Sequence, residues 1–147
     1  MPGSKQTSPS TTAVIGWRER VSLPDLGIGA FVAKMDTGAN YCALHATDIT
    51  TKDGYVSFRF EASETIRVKL AGRKSITSSN GDTAQRPLIR TRIKIGNRII
   101  RSEVTLIDRS KMRDKMLLGR KLLRNRFIID PTLSYALSTA KKKRQTA

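Results

Sequence analysis

Gly29-Ala30-Phe31-Val32-Ala33-Lys34-Met35 is an apolar run, broken only by Lys34, that leads straight into Asp36-Thr37-Gly38-Ala39. A run of this kind reads as a strand, and the tripeptide reads as the tight turn that ends it. A carboxylate on such a turn is held rigidly and points into a cleft. Thr37 can hydrogen-bond across a symmetric interface, and Gly38 lets backbone or substrate approach closely. One carboxylate is a weak activator of water. Two within hydrogen-bonding range cannot both ionise, so they share one proton and divide the roles of base and acid. A chain with one such triplet therefore needs a second copy of itself. The tripeptide alone is common by chance, so the flanking sequence must decide.

Working outward, short strands dominate. Val56, Phe58 and Phe60 alternate with Ser57, Arg59 and Glu61, and Ile66, Val68 and Leu70 alternate with Arg67 and Lys69. Both are period-two signals for strands buried on one face. Residues 88–95 and 98–107 flank Gly96-Asn97, a two-residue hairpin turn in which both residues accept positive φ. Met116-Leu117-Leu118 reads as a short strand, and Gly119 to Arg124 as a short helix built on Leu122 and Leu123. Phe127-Ile128-Ile129 and Tyr135-Ala136-Leu137 read as two closing strands around the Asp130-Pro131 turn. Lys74 to Arg86 is polar and contains Asn80-Gly81; it is either an exposed hairpin tip or a flap over a site. Residues 13–137 read as one domain, with disordered ends at 1–12 and 138–147.

The 147 residues carry 28 Lys and Arg against 12 Asp and Glu, a formal net charge of +16. The tail Lys141-Lys142-Lys143-Arg144 holds only four of these, so the rest of the chain is still near +12. Such a field attracts polyanions: nucleic acid, an acidic membrane surface or an acidic polypeptide. No stretch approaches the roughly 20 apolar residues of a membrane span. The first twelve residues lack the apolar run of a secretory signal, and a lone Cys42 forms no internal disulfide; both favour a reducing cytoplasm.

Several chemistries are excluded. One histidine rules out a His-Glu-x-x-His metal helix, and neither a phosphate loop nor a Gly-x-Ser-x-Gly elbow is present. Cys42, His45 and Asp48 are close enough in sequence for a zinc site, but they lack a familiar ligand spacing and a fourth ligand. His45 reads instead as a structural hydrogen-bonding residue near the site. A basic binding module for RNA or ribosomes is the competing reading, against which stand the few aromatics and the absence of an RNA-binding motif.

Leu117-Leu118-Gly119-Arg120-Lys121-Leu122-Leu123 resembles the strand-to-helix segment near the end of retroviral protease subunits, which arches beneath the catalytic loop. Further stretches narrow the resemblance. They are Ile15-Gly16-Trp17-Arg18-Glu19, Ala33 to Ala39, Ala43-Leu44-His45-Ala46, Ser79-Asn80-Gly81, Arg86 to Thr91, Met116 to Arg120 and Phe127 to Pro131. Together they are similar to a bacterial family once labelled an ATP-dependent zinc protease and better described as retropepsin-like aspartic peptidases. The resemblance runs from about Val14 to Leu137. It implies a mainly β, closed acid-protease barrel with a flap hairpin and one short C-terminal helix. It also implies an aspartic endopeptidase that works as a homodimer without metal or cofactor. Some members act beside a RimK-type glutamate ligase and trim poly-glutamate from a ribosomal protein, which implies an acidic polypeptide substrate. Asp36, Thr37 and Gly38 would then be catalytic. Ala39, Asn40, Lys74, Ser79, Gly81, Arg86 and Arg90 would meet substrate, and Arg120 and His45 would support the site. Asn40 departs from the viral pattern, which has an aspartate there paired with the helix arginine; a hydrogen bond from Arg120 to Asn40 would replace that ion pair. Viral subunits interleave their chain ends, whereas both ends here read as disordered, which leaves a differently built dimer open.

Overall fold

Alternating apolar and polar residues can bury one face only if the strands close on a common core. The computed structural model, which describes residues 12–137, does this with 56% strand and 7% helix. The two ends expected to be disordered lie outside the described residues, apart from Thr12.

Chain order gives strands β1 (Ala13–Ile15), β2 (Arg18–Leu23), β3 (Ile28–Met35), β4 (Cys42–His45), β5 (Thr47–Lys52) and β6 (Tyr55–Arg59). Then follow β7 (Ile66–Lys69), β8 (Gly72–Thr77), β9 (Thr83–Ile95), β10 (Arg98–Ile107) and β11 (Met116–Leu118), the single-turn helix α1 (Arg120–Leu123) and β12 (Phe127–Ile129). Neighbouring strands run β10-β4-β11-β3-β2-β9, and β9 pairs back onto β10, so six strands close into a barrel. Strand β8 lies outside this ring, paired only with the N-terminal part of β9. Strands β5, β6 and β7 form a separate meander, and β1 lies parallel to β12.

The core is aliphatic, as the scarcity of aromatics requires. Leu23, Leu44, Ile89, Ile93, Ile95, Leu106, Met116, Leu118 and Leu122 are fully buried, joined by Phe58. Each such side chain contributes about 1.5–3 kcal/mol of hydrophobic stabilisation. The alternation at Val56, Phe58 and Phe60 is realised as burial, whereas Ile66, Val68 and Leu70 are only partly covered because β7 is the edge of its sheet.

Residues 74–86 form a hairpin: Lys74 pairs with Arg86 and Thr77 with Thr83, leaving a tip at residues 78–82. Two details differ from the sequence expectation. At Gly96-Asn97 only Gly96 takes positive φ (59°), as in hairpin turns with glycine first. Tyr135-Ala136-Leu137 is not a strand. Its backbone folds onto the fully buried Glu19, whose carboxylate accepts the N–H groups of Ala136 (2.8 Å), Leu137 (3.2 Å) and Gly16 (2.7 Å). A buried carboxylate needs donors, and those three amides have no ladder partner, so each satisfies the other.

Glu19→Ala should lower the unfolding free energy by about 3 kcal/mol in urea titration, because it strands one buried and two part-buried donors. Glu19→Gln, which keeps one acceptor oxygen, should lose about half as much. A cost below about 0.5 kcal/mol for Glu19→Ala would contradict this role.

Candidate active site

Asp36 stands at the end of β3, where the barrel strand passes beside β11. The Asp36 N–H donates to the Leu118 carbonyl at 2.9 Å, and the Met35 N–H to the Trp17 carbonyl at 2.9 Å. The turn then closes on itself: the Ala39 N–H donates to the Asp36 carbonyl (3.1 Å), and the Gly38 N–H to carboxylate Oδ1 (3.0 Å). Asp36 is half-buried, while Thr37 and Gly38 are exposed. Among the described residues no hydrogen bond engages the Thr37 hydroxyl.

The segment after β11 forms a platform under this loop. The Arg120 N–H donates to the Ala39 carbonyl (2.8 Å) and the Lys121 N–H to the Asn40 carbonyl (3.0 Å). Arg120 Nη1 donates to the Thr37 carbonyl at 2.9 Å. Asp36, Thr37, Ala39 and Asn40 therefore use their backbone to dock against Leu118–Lys121. The side-chain bond expected between Asn40 and Arg120 does not form, because the guanidinium reaches the Thr37 carbonyl instead. Gly119 is required by closeness: a Cβ there would overlap the Tyr41 carbonyl oxygen and lie 2.9 Å from that of Ala39.

The other expected residues fall into two groups. Lys74 and Arg86 face one another across the β8–β9 hairpin, both half-buried, with Lys74 Nζ 5.4 Å from the centre of the Tyr41 ring. Ser79 and Gly81 sit exposed at its tip, where the Gly81 N–H donates to the Ser78 carbonyl (2.9 Å). Arg90 is drawn away by Glu103 (3.2 Å), which also pairs with Lys121 (3.6 Å). The three residues weighed as a zinc set go separate ways. Cys42 packs against Ser102, His45 accepts a backbone N–H, and Asp48 pairs with Arg59 (3.7 Å). Among the described residues no group of three or more His, Cys, Asp or Glu could hold a metal.

Arg109 was missed from the sequence. It lies in the polar loop after β10, which runs parallel to β4. Buried His45 accepts the Arg109 backbone N–H on Nδ1 (2.8 Å), and Arg109 Nε donates to the Asp114 carbonyl (2.9 Å). Asp114 is in turn gripped by Arg18 through two 2.9 Å hydrogen bonds, which hold its carboxyl below the usual range. Burial pushes the Arg109 guanidinium down from its ordinary value, while the charges of Asp114 and Asp36 pull the other way. Arg86 is pushed down likewise, first by burial and then by Arg109. Tyr41 and Lys121 were also missed; Lys121 Nζ lies 4.8 Å from the Tyr41 ring centre, on the side of the loop that Lys74 reaches.

A closed barrel with an Asp-Thr-Gly turn on a Leu-Leu-Gly-Arg platform defines a retropepsin-like domain. The chain belongs to the RimB-like family of retropepsin-like aspartic endopeptidases, whose pattern it matches over residues 14–140. Curated relatives are named "Probable alpha-L-glutamate ligase". That of Desulfotalea psychrophila is 36% identical over 141 residues, and that of Shewanella pealeana is 33% identical over 135. These alignments cover 88% and 84% of this chain but only 30% of each relative, so that name describes much longer proteins. A crystal structure of a Legionella pneumophila protein of unknown function superimposes with a TM-score of 0.72 at 26% identity, covering 85% of this chain and 98% of that one. Among the described residues no helix is long and apolar enough to cross a membrane.

Two outcomes follow from this geometry. Gly119→Ala should destabilise the fold by about 3 kcal/mol in chemical denaturation, since backbone rather than a flexible side chain must move. His45 accepts a hydrogen bond as neutral imidazole, and burial first, then Lys115, holds its pKa below the ordinary 6.5. The unfolded chain then takes up a proton before the folded one. Stability should fall as pH drops from 6.5 through the lowered folded value, and thermal melts of His45→Gln should show a flatter profile in that window.

Proposed function

We propose that residues 13–137 are one half of an aspartic endopeptidase whose active site forms when two copies bring their Asp36 loops together. The observation that carries this reading is the docking of the Asp36 loop, carboxylate oriented by the Gly38 N–H, on the Gly119–Arg120 platform. The free hydroxyl of exposed Thr37 is available to hydrogen-bond to the second copy. The two carboxyls share one proton. The ionised carboxyl takes a proton from water as the water oxygen attacks the scissile carbonyl carbon. The protonated carboxyl gives its proton to the carbonyl oxygen, forming a gem-diol. Collapse returns one hydroxyl proton to a carboxylate while the leaving nitrogen accepts the other carboxyl's proton, and the C–N bond breaks.

The substrate we infer is an acidic, poly-glutamate-like polypeptide, such as a glutamylated tail of a ribosomal protein in the cytoplasm. The net charge of +16 supports an anionic partner. So does the occurrence of this domain within longer relatives named as glutamate ligases, whose product would be such a chain. The same charge also favours a second reading, a binding module for RNA or ribosomes. Asp36→Asn in the full chain separates them. The variant should keep its circular dichroism spectrum and its dimer by sedimentation, and lose at least about a thousandfold in cleavage of an oligoglutamate-tailed protein. Equal cleavage by parent and variant would remove Asp36 from catalysis. RNA binding that survives high salt, without peptide cleavage, would favour the binding module.

A further inference from the structure

Most buried or half-buried cations in this chain have an anionic or carbonyl partner. Arg18 has Asp114, and Arg109 has the Asp114 carbonyl. Among the described residues Arg86 has neither, and its buried Nε has no hydrogen-bond partner. Two other cations lie near it. Lys74 lies directly opposite on β8, in register and on the same half-buried face of the hairpin. Like charges opposed across a strand pair repel. Arg109 adds a third positive charge from the barrel side, close enough for its field to act on Arg86. Three cations gathered around an unsatisfied buried donor are an unfavourable arrangement unless an anion joins them.

The arrangement is also built rather than loose. Arg109 is fixed at its backbone by His45 and at Nε by Asp114, which Arg18 locks in place. Lys74 is seated on Tyr41, two residues beyond Ala39 in the catalytic loop. Asp36 lies within the electrostatic reach of Arg109. The cluster therefore links the hairpin to the Asp36 loop, through Tyr41 on one side and Arg109 on the other.

We propose that Lys74, Arg86 and Arg109 form an anion subsite that binds the side-chain carboxylate of a substrate residue next to the scissile bond. Arg86 supplies the central donor, and Arg109 is its preorganised partner. The placement next to the scissile bond rests on Asp36 being catalytic; the anion site itself does not.

The test uses binding, so that it stands apart from turnover. A fluorescein-labelled oligoglutamate peptide, and an oligoglutamine peptide of equal length, are titrated by anisotropy into full-length Asp36→Asn protein. The same titrations are made with Arg86→Gln, Arg86→Lys, Lys74→Gln and Arg67→Gln added. Arg67 stacks on Tyr55 in the separate meander and controls for loss of one positive charge. Oligoglutamate affinity should fall about tenfold in Arg86→Gln and in the same direction in Lys74→Gln. Arg86→Lys should recover part of the loss, and Arg67→Gln should change affinity less than about twofold. Equal losses in Arg86→Gln and Arg67→Gln would reduce the cluster to general charge attraction and overturn the subsite, as would no binding of oligoglutamate. Arg86-dependent binding by a protein with no Asp36-dependent cleavage would overturn the peptidase reading and leave the subsite standing. Cleavage that depends on Asp36 but ignores Arg86 would do the reverse.

Discussion

The docking of residues 36–40 onto residues 118–121 is the constraint on which the rest of the structure depends. Asp36, Ala39 and Asn40 pair backbone to backbone with Leu118, Arg120 and Lys121, and the Arg120 side chain closes on the Thr37 carbonyl. A turn left to itself would sample many conformations and aim its carboxylate nowhere in particular. Ordering one residue costs about 1–2 kcal/mol, and the platform offsets this through four hydrogen bonds packed against buried Leu118, Leu122 and Leu123. Gly119 sets how closely the two layers approach. Everything else in the barrel serves to bring β3 and β11 side by side so that this contact can form.

That constraint explains why the arginine of the platform could do without an acidic partner. Where an aspartate would give an ion pair, Asn40 takes the Lys121 N–H on its backbone carbonyl, and the Arg120 side chain donates to the Thr37 carbonyl. A charge-assisted hydrogen bond to a carbonyl on the loop's exposed side performs the same bracing. The loop keeps its shape, and the Asp36 carboxylate keeps its orientation from the Gly38 amide.

Local pattern made the barrel legible. Period-two runs gave β6 and β7, the Gly96-Asn97 turn gave the β9–β10 hairpin, the apolar run gave β3, and the Leu-Leu-Gly-Arg segment gave β11 and α1. Three things were not legible because they depend on contacts between distant parts of the chain. Tyr135-Ala136-Leu137 has the composition of a strand, yet its amides are taken by the Arg18 carbonyl and the Glu19 carboxylate, more than a hundred residues earlier. Arg109 lies in a loop with no motif and joins the site only through the pairing of β10 with β4. Arg90, one of several cations in a row, is diverted by Glu103 across the hairpin, while Arg86 is left without a partner. Sequence showed that the chain is basic; only the register of the strands shows which positive charges meet and which are neutralised.

The central claim is that Asp36 is half of a site. The distance between the two Asp36 carboxylates in a crystal structure of the dimer tests it most directly. The account predicts oxygens about 3 Å apart, close enough to share a proton, with each loop still docked on its own platform. An intact dimer that holds the two carboxylates more than about 6 Å apart would contradict it.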